Sequence, residues 1–376
     1  MTTDADVLVI GAGIIGCAVA RELTSRGARI HVLDARGIGR GATQASAGML
    51  APYTEAHDTG PLLELLVRSL DLYDDWIRAV RAESGVDVEY RRNGSVEVAF
   101  DRDDAERLRL AAAAAGAERC AWLDAESARR LEPALPPQLA GALLVRAHGY
   151  VSAPQLTEAL ALAVVRAGGS LHASARAVSV EARSDDVEVT LEDGQRLRAG
   201  RVVIATGSWT PHLRGIDDEA PRQIRPVRGQ LLRVRPSAPV LGRVIWGPGC
   251  YLVPWTGGLV LVGATMEEAG FEERNTVSAV RTLLEAAARL VPALADATFV
   301  DARSGLRPAT ADGLPIIGPS AASDRVVYAT GHFRNGILLA PLTARLVAEF
   351  VLDGREDAAL HALSPGRGGR TVLADG

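Results

Sequence analysis

Asp6-Val-Leu-Val-Ile10-Gly11-Ala-Gly13-Ile-Ile-Gly16, answered some fourteen residues later by Ile30-His-Val-Leu33-Asp34, decides how this chain is read. A short apolar, β-branched run ends in three glycines. Ala18, Ala20 and Leu23 keep helical spacing until Gly27, and a second apolar run closes on an acid. Strand, glycine turn, helix, strand and acid within about thirty residues form the pattern of a dinucleotide-binding βαβ unit. Gly11 permits the tight turn, Gly13 lets the backbone approach a pyrophosphate, and Gly16 lets the helix pack close to the strand. The helix N-terminus offers free N–H groups and a positive dipole end to phosphates. Asp34 is placed to accept ribose hydroxyls, and its charge repels a 2′-phosphate.

Working outward, the second strand does not lead into an ordinary βα unit. Arg36-Gly-Ile-Gly-Arg40-Gly-Ala-Thr43-Gln-Ala-Ser46-Ala-Gly48-Met49 is rich in small residues, hydroxyls and glycines. Such a backbone lies flat beside a planar ligand, and it runs into apolar Met49-Leu-Ala-Pro instead of open solvent. A loop of this kind fits FAD better than NAD, because FAD extends away from the phosphate turn with its ring system deep in the protein.

Composition narrows the chemistry further. The chain has 376 residues and a formal net charge of −5, and all 41 of its Lys+Arg positions are arginine. Without a lysine amine no Schiff base forms, and a Walker-type phosphate loop lacks its Gly-Lys-Ser/Thr end. The arginines are dispersed and the charge is slightly acidic, so nucleic acid is not an expected partner. Cys17, Cys120 and Cys250 are far apart, with no metal-ligand spacing, so no metal is expected and a reducing compartment is. The run Val7 to Ala20 is glycine-interrupted, lacks a basic flank and is too short to span a bilayer. A cytoplasmic protein without a membrane segment is therefore expected.

The length implies about two domains. Leu62 to Arg81 reads as an amphipathic helix, Asn93 to Phe100 as a turn and strand, and Asp103 to Gly116 as a helix. Gln155 to Ala167 is helical. Ala177 to Val180 and Val187 to Leu191 read as paired strands, and Arg201-Val-Val-Ile-Ala-Thr-Gly207 as a later strand of the nucleotide sheet. Arg225 to Arg235, Cys250 to Pro254 and Gly258 to Gly263 read as antiparallel strands. The expected fold class is α/β: a Rossmann-like, doubly wound parallel sheet with an inserted antiparallel-sheet substrate domain. The nucleotide-binding domain is expected to comprise 1–85, 145–222 and 303–364, and the substrate domain 86–144 and 223–302. Residues 365–376 read as a disordered tail.

Two C-terminal stretches complete the picture: Gly305-Leu-Arg307-Pro308-Ala-Thr-Ala-Asp-Gly313, and Gly331-His332-Phe-Arg334-Asn335-Gly336, which runs into a helix from Ala340 to Leu352. With the βαβ unit, the Ser46-Ala-Gly-Met49 loop, Cys250-Tyr251-Leu-Val-Pro254 and Gly263-Ala-Thr-Met266, they resemble the D-amino-acid-oxidase family of FAD-dependent amine oxidoreductases. The resemblance spans nearly the whole chain in order. It is nearest to the glycine-oxidising branch that serves thiamine biosynthesis.

The resemblance implies non-covalent FAD contacted by Gly11, Gly13, Ile14, Ile15, Gly16, Asp34, Ala35, Ala42, Thr43, Ala47, Gly48, Met49 and Val178. It adds His332, Phe333, Arg334, Asn335, Gly336, Ile337 and Leu338. It implies a substrate carboxylate held by Arg307 and Tyr251, in keeping with bidentate guanidinium pairing and a phenol donor. Met49 and Met266 match positions near the flavin and substrate, and Arg334 one at the pocket mouth. The chain departs from the pattern at Gly249, where a histidine is expected, and at Asp34, where glutamate is more usual. The activity implied is oxidation of glycine, sarcosine or small D-amino acids by hydride transfer to flavin N5. The imine then yields an oxoacid and ammonia, with O2 reduced to H2O2 by a homo-oligomer, a tetramer in the family. A sarcosine oxidase, a D-amino-acid dehydrogenase with another acceptor, an NAD-dependent dehydrogenase and a non-catalytic flavin protein remain alternatives.

Overall fold

The computed structural model describes residues 5–55, 60–116, 118–255 and 257–367. Strand Ala5–Ile10 lies in parallel between Ile30–Leu33 and Arg196–Ile204, and Val326–Thr330 pairs in parallel with the far side of Arg196–Ile204. Alternation of side chains along a strand divides its residues between two cores. Val7 and Val9 join helices Ile14–Ser25, Pro61–Ser84, Ala153–Arg166 and Gly336–Asp353 on one face. Leu8 and Ile10 face the other way. There Val180, Val187, Val189 and Leu191 from an antiparallel hairpin, with Leu213, Ile216 and Ile224, stand where a second helical layer would complete the winding.

Among the described residues the second sheet has eight strands, in the order Thr298–Ala309, Arg225–Arg235, Leu259–Gly263, Cys250–Trp255, Val244–Gly247, Ser95–Ala99, Gly141–Val145 and Cys120–Leu123. Its members come from the two stretches expected to form a substrate domain, joined by the parallel pairing of Val244–Gly247 with Ser95–Ala99. Helix Val277–Leu290 covers one face, packing Leu283, Ala287 and Leu290 against Leu232, Leu252 and Val262. The opposite face carries Leu231, Tyr251, Val253 and Leu261. The expected boundaries at 144/145 and 302/303 both fall inside strands of this sheet. Strand Thr298–Ala309 belongs to it throughout, yet reaches the loop that carries Ala42 and Ala45.

Helix Gly336–Asp353 begins four residues before the expected start and runs through Pro341. Proline has no N–H for the carbonyl one turn earlier, and a buried unpaired carbonyl is costly. Tyr73, fully buried in the facing helix, donates its hydroxyl to the Ile337 carbonyl. Ser69 Oγ donates to the Leu338 carbonyl at 2.6 Å. A helix that sequence reading would interrupt is thereby continued by its neighbour. Of the tail expected to be disordered, 365–367 are fixed: Arg367 pairs with Asp312 at 2.7 Å and the Pro365 carbonyl accepts from Ala220. Residues 368–376 lie outside those described. Among the described residues no helix is long and apolar enough to cross a membrane.

Candidate active site

A cavity of about 520 Å³ runs from the first glycine turn, between the two sheets, to the face carrying Tyr251. At the turn each glycine has a different reason to be there. Gly11 has φ +109°, and a Cβ on it would meet the Ala205 carbonyl oxygen at 2.4 Å. On Gly16 a Cβ would lie 1.8 Å from the Gly11 oxygen, so the helix rests directly on the turn. On Gly13 the nearest protein atom would be Thr43 Oγ1 at 3.5 Å, so the space there is left for a ligand. As the N-cap of helix Ile14–Ser25, Gly13 also supplies no side chain to its open N–H groups. Thr43 Oγ1 accepts from Ile14 N–H at 3.1 Å and brings the small-residue loop against the turn.

Asp34 holds this end together. One carboxylate oxygen accepts from Ala12 N–H, the other from Arg36 and Gly37 N–H, each at 2.7 Å. It lines the cavity while bracing both loops, and its oxygens keep lone pairs for a ribose. Open N–H groups, a glycine cradle and this acid suit an adenine dinucleotide. The extension along Ala47, Gly48 and Met49 toward the second sheet gives room for a flavin beyond the pyrophosphate.

The far end is built by the second sheet. Arg307 follows Gly305 on the same face of its strand, and a Cβ on Gly305 would sit 2.9 Å from that of Ala45. The Arg307 guanidinium folds across the neighbouring strand at Gly229, where a Cβ would lie 2.2 to 2.4 Å from its Nη2, Cζ and Nη1. Its Nη1 donates to the Thr265 carbonyl at 3.0 Å. Tyr251 likewise lies over Gly263, where a Cβ would be 2.5 Å from the ring and its hydroxyl. Burial pushes the Tyr251 phenol up against the opposing pull of the Arg307 and Arg334 charges, so it is a neutral donor. Burial pushes Arg307 down, and Arg334 adds to this, but a guanidinium starts so high that it stays cationic.

Arg334 is held by Glu55, whose two carboxylate oxygens take its Nε at 2.8 Å and Nη2 at 3.0 Å. Desolvation is the largest influence on Arg334 and would lower it, but the charge and the hydrogen bond of Glu55, with a smaller contribution from Tyr251, together raise the guanidinium. His332 is buried, meets Thr343 Oγ1 at 2.9 Å and is pushed down to about 3 by burial. Phe333 adopts φ +46°, a left-handed conformation rare for a side chain of this kind, and its N–H donates to the Pro308 carbonyl at 3.0 Å.

Gly11, Gly13, Ile14, Ile15, Asp34, Ala35, Ala42, Thr43, Ala47, Gly48, Met49, Val178, Tyr251, Arg307 and 332–337 all line this one cavity. Gly16 stands behind the turn. Two expectations need correction. Leu338 is buried in the core within the first turn of its helix and does not line the cavity. Met266 is 64% exposed, because Thr265 and the Glu267 side chain turn inward onto Gln230 and leave the residue between them facing solvent. Gly249 lines the cavity with φ +82°, a conformation that suits glycine better than the histidine of the family pattern. Glu55, Gly229 and Trp209 stand in none of the motifs, and Arg36 and Gly263 open motif stretches without a site role of their own. No spacing marks any of them, and only the unusual density of glycines in the second sheet hints at two.

A family model described as FAD dependent oxidoreductase matches residues 6–350. The chain belongs to that family. It is an FAD-dependent oxidoreductase, as the motif resemblance implied. It is 36% identical to glycine oxidase from Geobacillus kaustophilus over 93% of this chain and 94% of that one. The crystal structure of that enzyme superposes with a TM-score of 0.91 over 97% of this chain and 99% of the other, at 34% identity. A bifunctional ThiO/ThiG protein from Synechocystis is 35% identical over 98% of this chain, which spans about half (54%) of that relative's length.

Proposed function

We propose that this oxidoreductase oxidises glycine and other small amines or amino acids, among them sarcosine and D-alanine. The imine formed either hydrolyses to an oxoacid and ammonia or is passed to thiamine thiazole synthesis, and O2 takes up the two electrons and two protons as H2O2. The observation that carries the reading is Arg307 folded across Gly229 beside the buried, neutral Tyr251 phenol. A cation and a donor on one buried wall suit a small carboxylate, bidentate to the guanidinium with a third hydrogen bond from the phenol. The activities of the glycine oxidase relatives support the same substrate class.

Bound FAD would supply the two-electron acceptor for a hydride from the substrate Cα. The protein's part is placement. Arg307, braced by Thr265, fixes the carboxylate so that Cα and the amine project away from the sheet toward the Met49 loop. Orientation of this kind is worth up to about 10 kcal/mol in intramolecular models. Glu55 is taken by Arg334 and His332 by Thr343, so neither is free to abstract a proton. That suits hydride loss from a neutral amine better than prior deprotonation of Cα.

Peroxide release and dye reduction measured side by side with glycine, sarcosine and D-alanine test the reading. Peroxide in proportion to oxoacid is expected. Dye reduction without peroxide would make the chain a dehydrogenase, and turnover of none of the three would overturn the substrate class.

A further inference from the structure

Between strand Leu259–Gly263 and helix Val277–Leu290 the chain crosses from the second sheet to the nucleotide-binding unit. Its base is firmly tied. Gln230, fully buried, takes Thr265 N–H on its carbonyl at 3.1 Å and Thr276 N–H on its side-chain oxygen at 2.7 Å. Its amide donates to Glu267 at 2.8 Å, and Arg228 and Glu267 exchange backbone hydrogen bonds at 2.9 and 3.0 Å.

The tip reaches across the gap. Phe271 brings its ring centre to 4.6 Å from that of His212 and 6.0 Å from that of Trp209. One Glu273 carboxylate oxygen pairs with Arg36 Nη1 at 2.6 Å, and the Arg36 guanidinium lies 4.2 Å above the Trp209 ring. Arg36, Trp209 and His212 all line the dinucleotide cavity, and Arg36 is bonded through its own N–H to Asp34. The other Glu273 oxygen is buried and has no partner among the described residues. Phe271, meanwhile, stays 41% exposed, more than a ring placed only for core packing would be.

We propose that Gly270–Glu273 is a clasp over the Asp34 end of the cavity, retaining the adenosine half of FAD and slowing its release. The inference rests on the FAD assignment and goes beyond the proposed chemistry. An aromatic contact and a half-exposed ion pair are each modest, so together they account for a factor of about ten in retention.

The test is the affinity of the apoprotein for FAD and the rate of FAD release, followed by flavin fluorescence. The variants are Phe271→Ala, Glu273→Gln and the pair, with Phe271→Tyr retaining the ring. Single changes are expected to weaken FAD binding about threefold and the pair about tenfold, while Phe271→Tyr binds like the parent. FMN, which lacks the adenosine half, is the internal control: its affinity should be the same in all the proteins. Melting of the apoproteins checks folding. Parent-like FAD affinity in the double variant would overturn the clasp, as would an equal loss of FMN affinity. A parent protein that takes up no FAD would instead overturn the cofactor assignment.

Discussion

The Phe333 N–H donates to the Pro308 carbonyl at 3.0 Å, tying the second glycine turn to the strand that carries Arg307. The turn and Arg307 are thus one unit, although a loop and the hairpin of Ile316–Pro319 with Val326–Thr330 separate them in sequence. Holding that bond places Phe333 at φ +46°, where an L-residue is strained by about 1 kcal/mol or more.

That strain is separable from the lost side chain by comparing two truncations. Phe333→Gly and Phe333→Ala both remove the ring, but only glycine adopts the conformation freely. The glycine variant should be the more stable by about 1 kcal/mol, or about 2 °C in melting temperature. Equal melting temperatures would show that the turn relaxes when the ring is gone.

The three glycines of the first turn make a sharper contrast. Gly13→Ala meets no protein atom closer than 3.5 Å, so its cost should fall on the cofactor. The variant should fold with parent-like melting as apoprotein yet bind FAD at least about tenfold more weakly, a change of about 1.4 kcal/mol. Gly16→Ala drives a methyl to 1.8 Å from the Gly11 oxygen and should lower the melting temperature of the apoprotein itself. FAD titration and calorimetry of both variants distinguish the two effects.

What could be read from the sequence was written in local chemistry. Gly11, Gly13, Gly16 and Asp34 carry their roles in their spacing, and alternation in Arg225–Arg235 marked a two-faced strand. Long-range partners leave no such trace. Glu55 and Arg334 stand 279 residues apart, and nothing in Pro52-Tyr-Thr-Glu55 announces an ion pair. In the sequence Gly229 is one position in a strand, whereas its lack of a side chain is set by Arg307 on the strand beside it. The helix expected from Ala340 starts at Gly336 and runs through Pro341, because a hydroxyl of another helix, that of Tyr73, takes up the carbonyl that proline leaves open. Met266 is expected at the pocket from the family resemblance alone, and the hydrogen bonds of Thr265 and Glu267 turn it out.

Acid sensitivity should come first from histidines. His148 accepts from Tyr53 N–H, meets Ser95 Oγ at 2.8 Å and, like His332, is pushed down to about 3 by burial. The Arg92 charge adds to the shift at His148. In the unfolded chain each titrates near 6.5. The unfolded state therefore binds more protons between about pH 6.5 and 3, and stability present above 6.5 is lost as the pH falls through this window. The slope is about 1.4 kcal/mol per pH unit for each histidine. Between pH 6.5 and 5, before most carboxylates titrate, the melting temperature should fall with pH. His332→Gln and His148→Gln should each flatten that fall, and an unchanged slope would remove the histidine from this role.

The assignment of Arg307 is open to a test that leaves the arginine in place. A methyl at Gly229 would overlap the guanidinium, the mobile end of a long side chain, so Gly229→Ala should fold and displace the group instead of breaking the sheet. Arg307→Ala removes it. If Arg307 binds the substrate carboxylate, losing the buried charge pair costs about 2 kcal/mol or more, so KM for glycine should rise by ~30-fold or more in Arg307→Ala. Gly229→Ala should raise it in the same direction by a smaller factor. Both proteins should remain yellow, since the cofactor end of the cavity is untouched. Arg307→Lys should recover little, because an ammonium does not reproduce the bidentate geometry. A Gly229→Ala enzyme with the parent's KM would mean that the guanidinium reaches the substrate from another position. An Arg307→Ala enzyme with the parent's KM would remove Arg307 from substrate binding altogether.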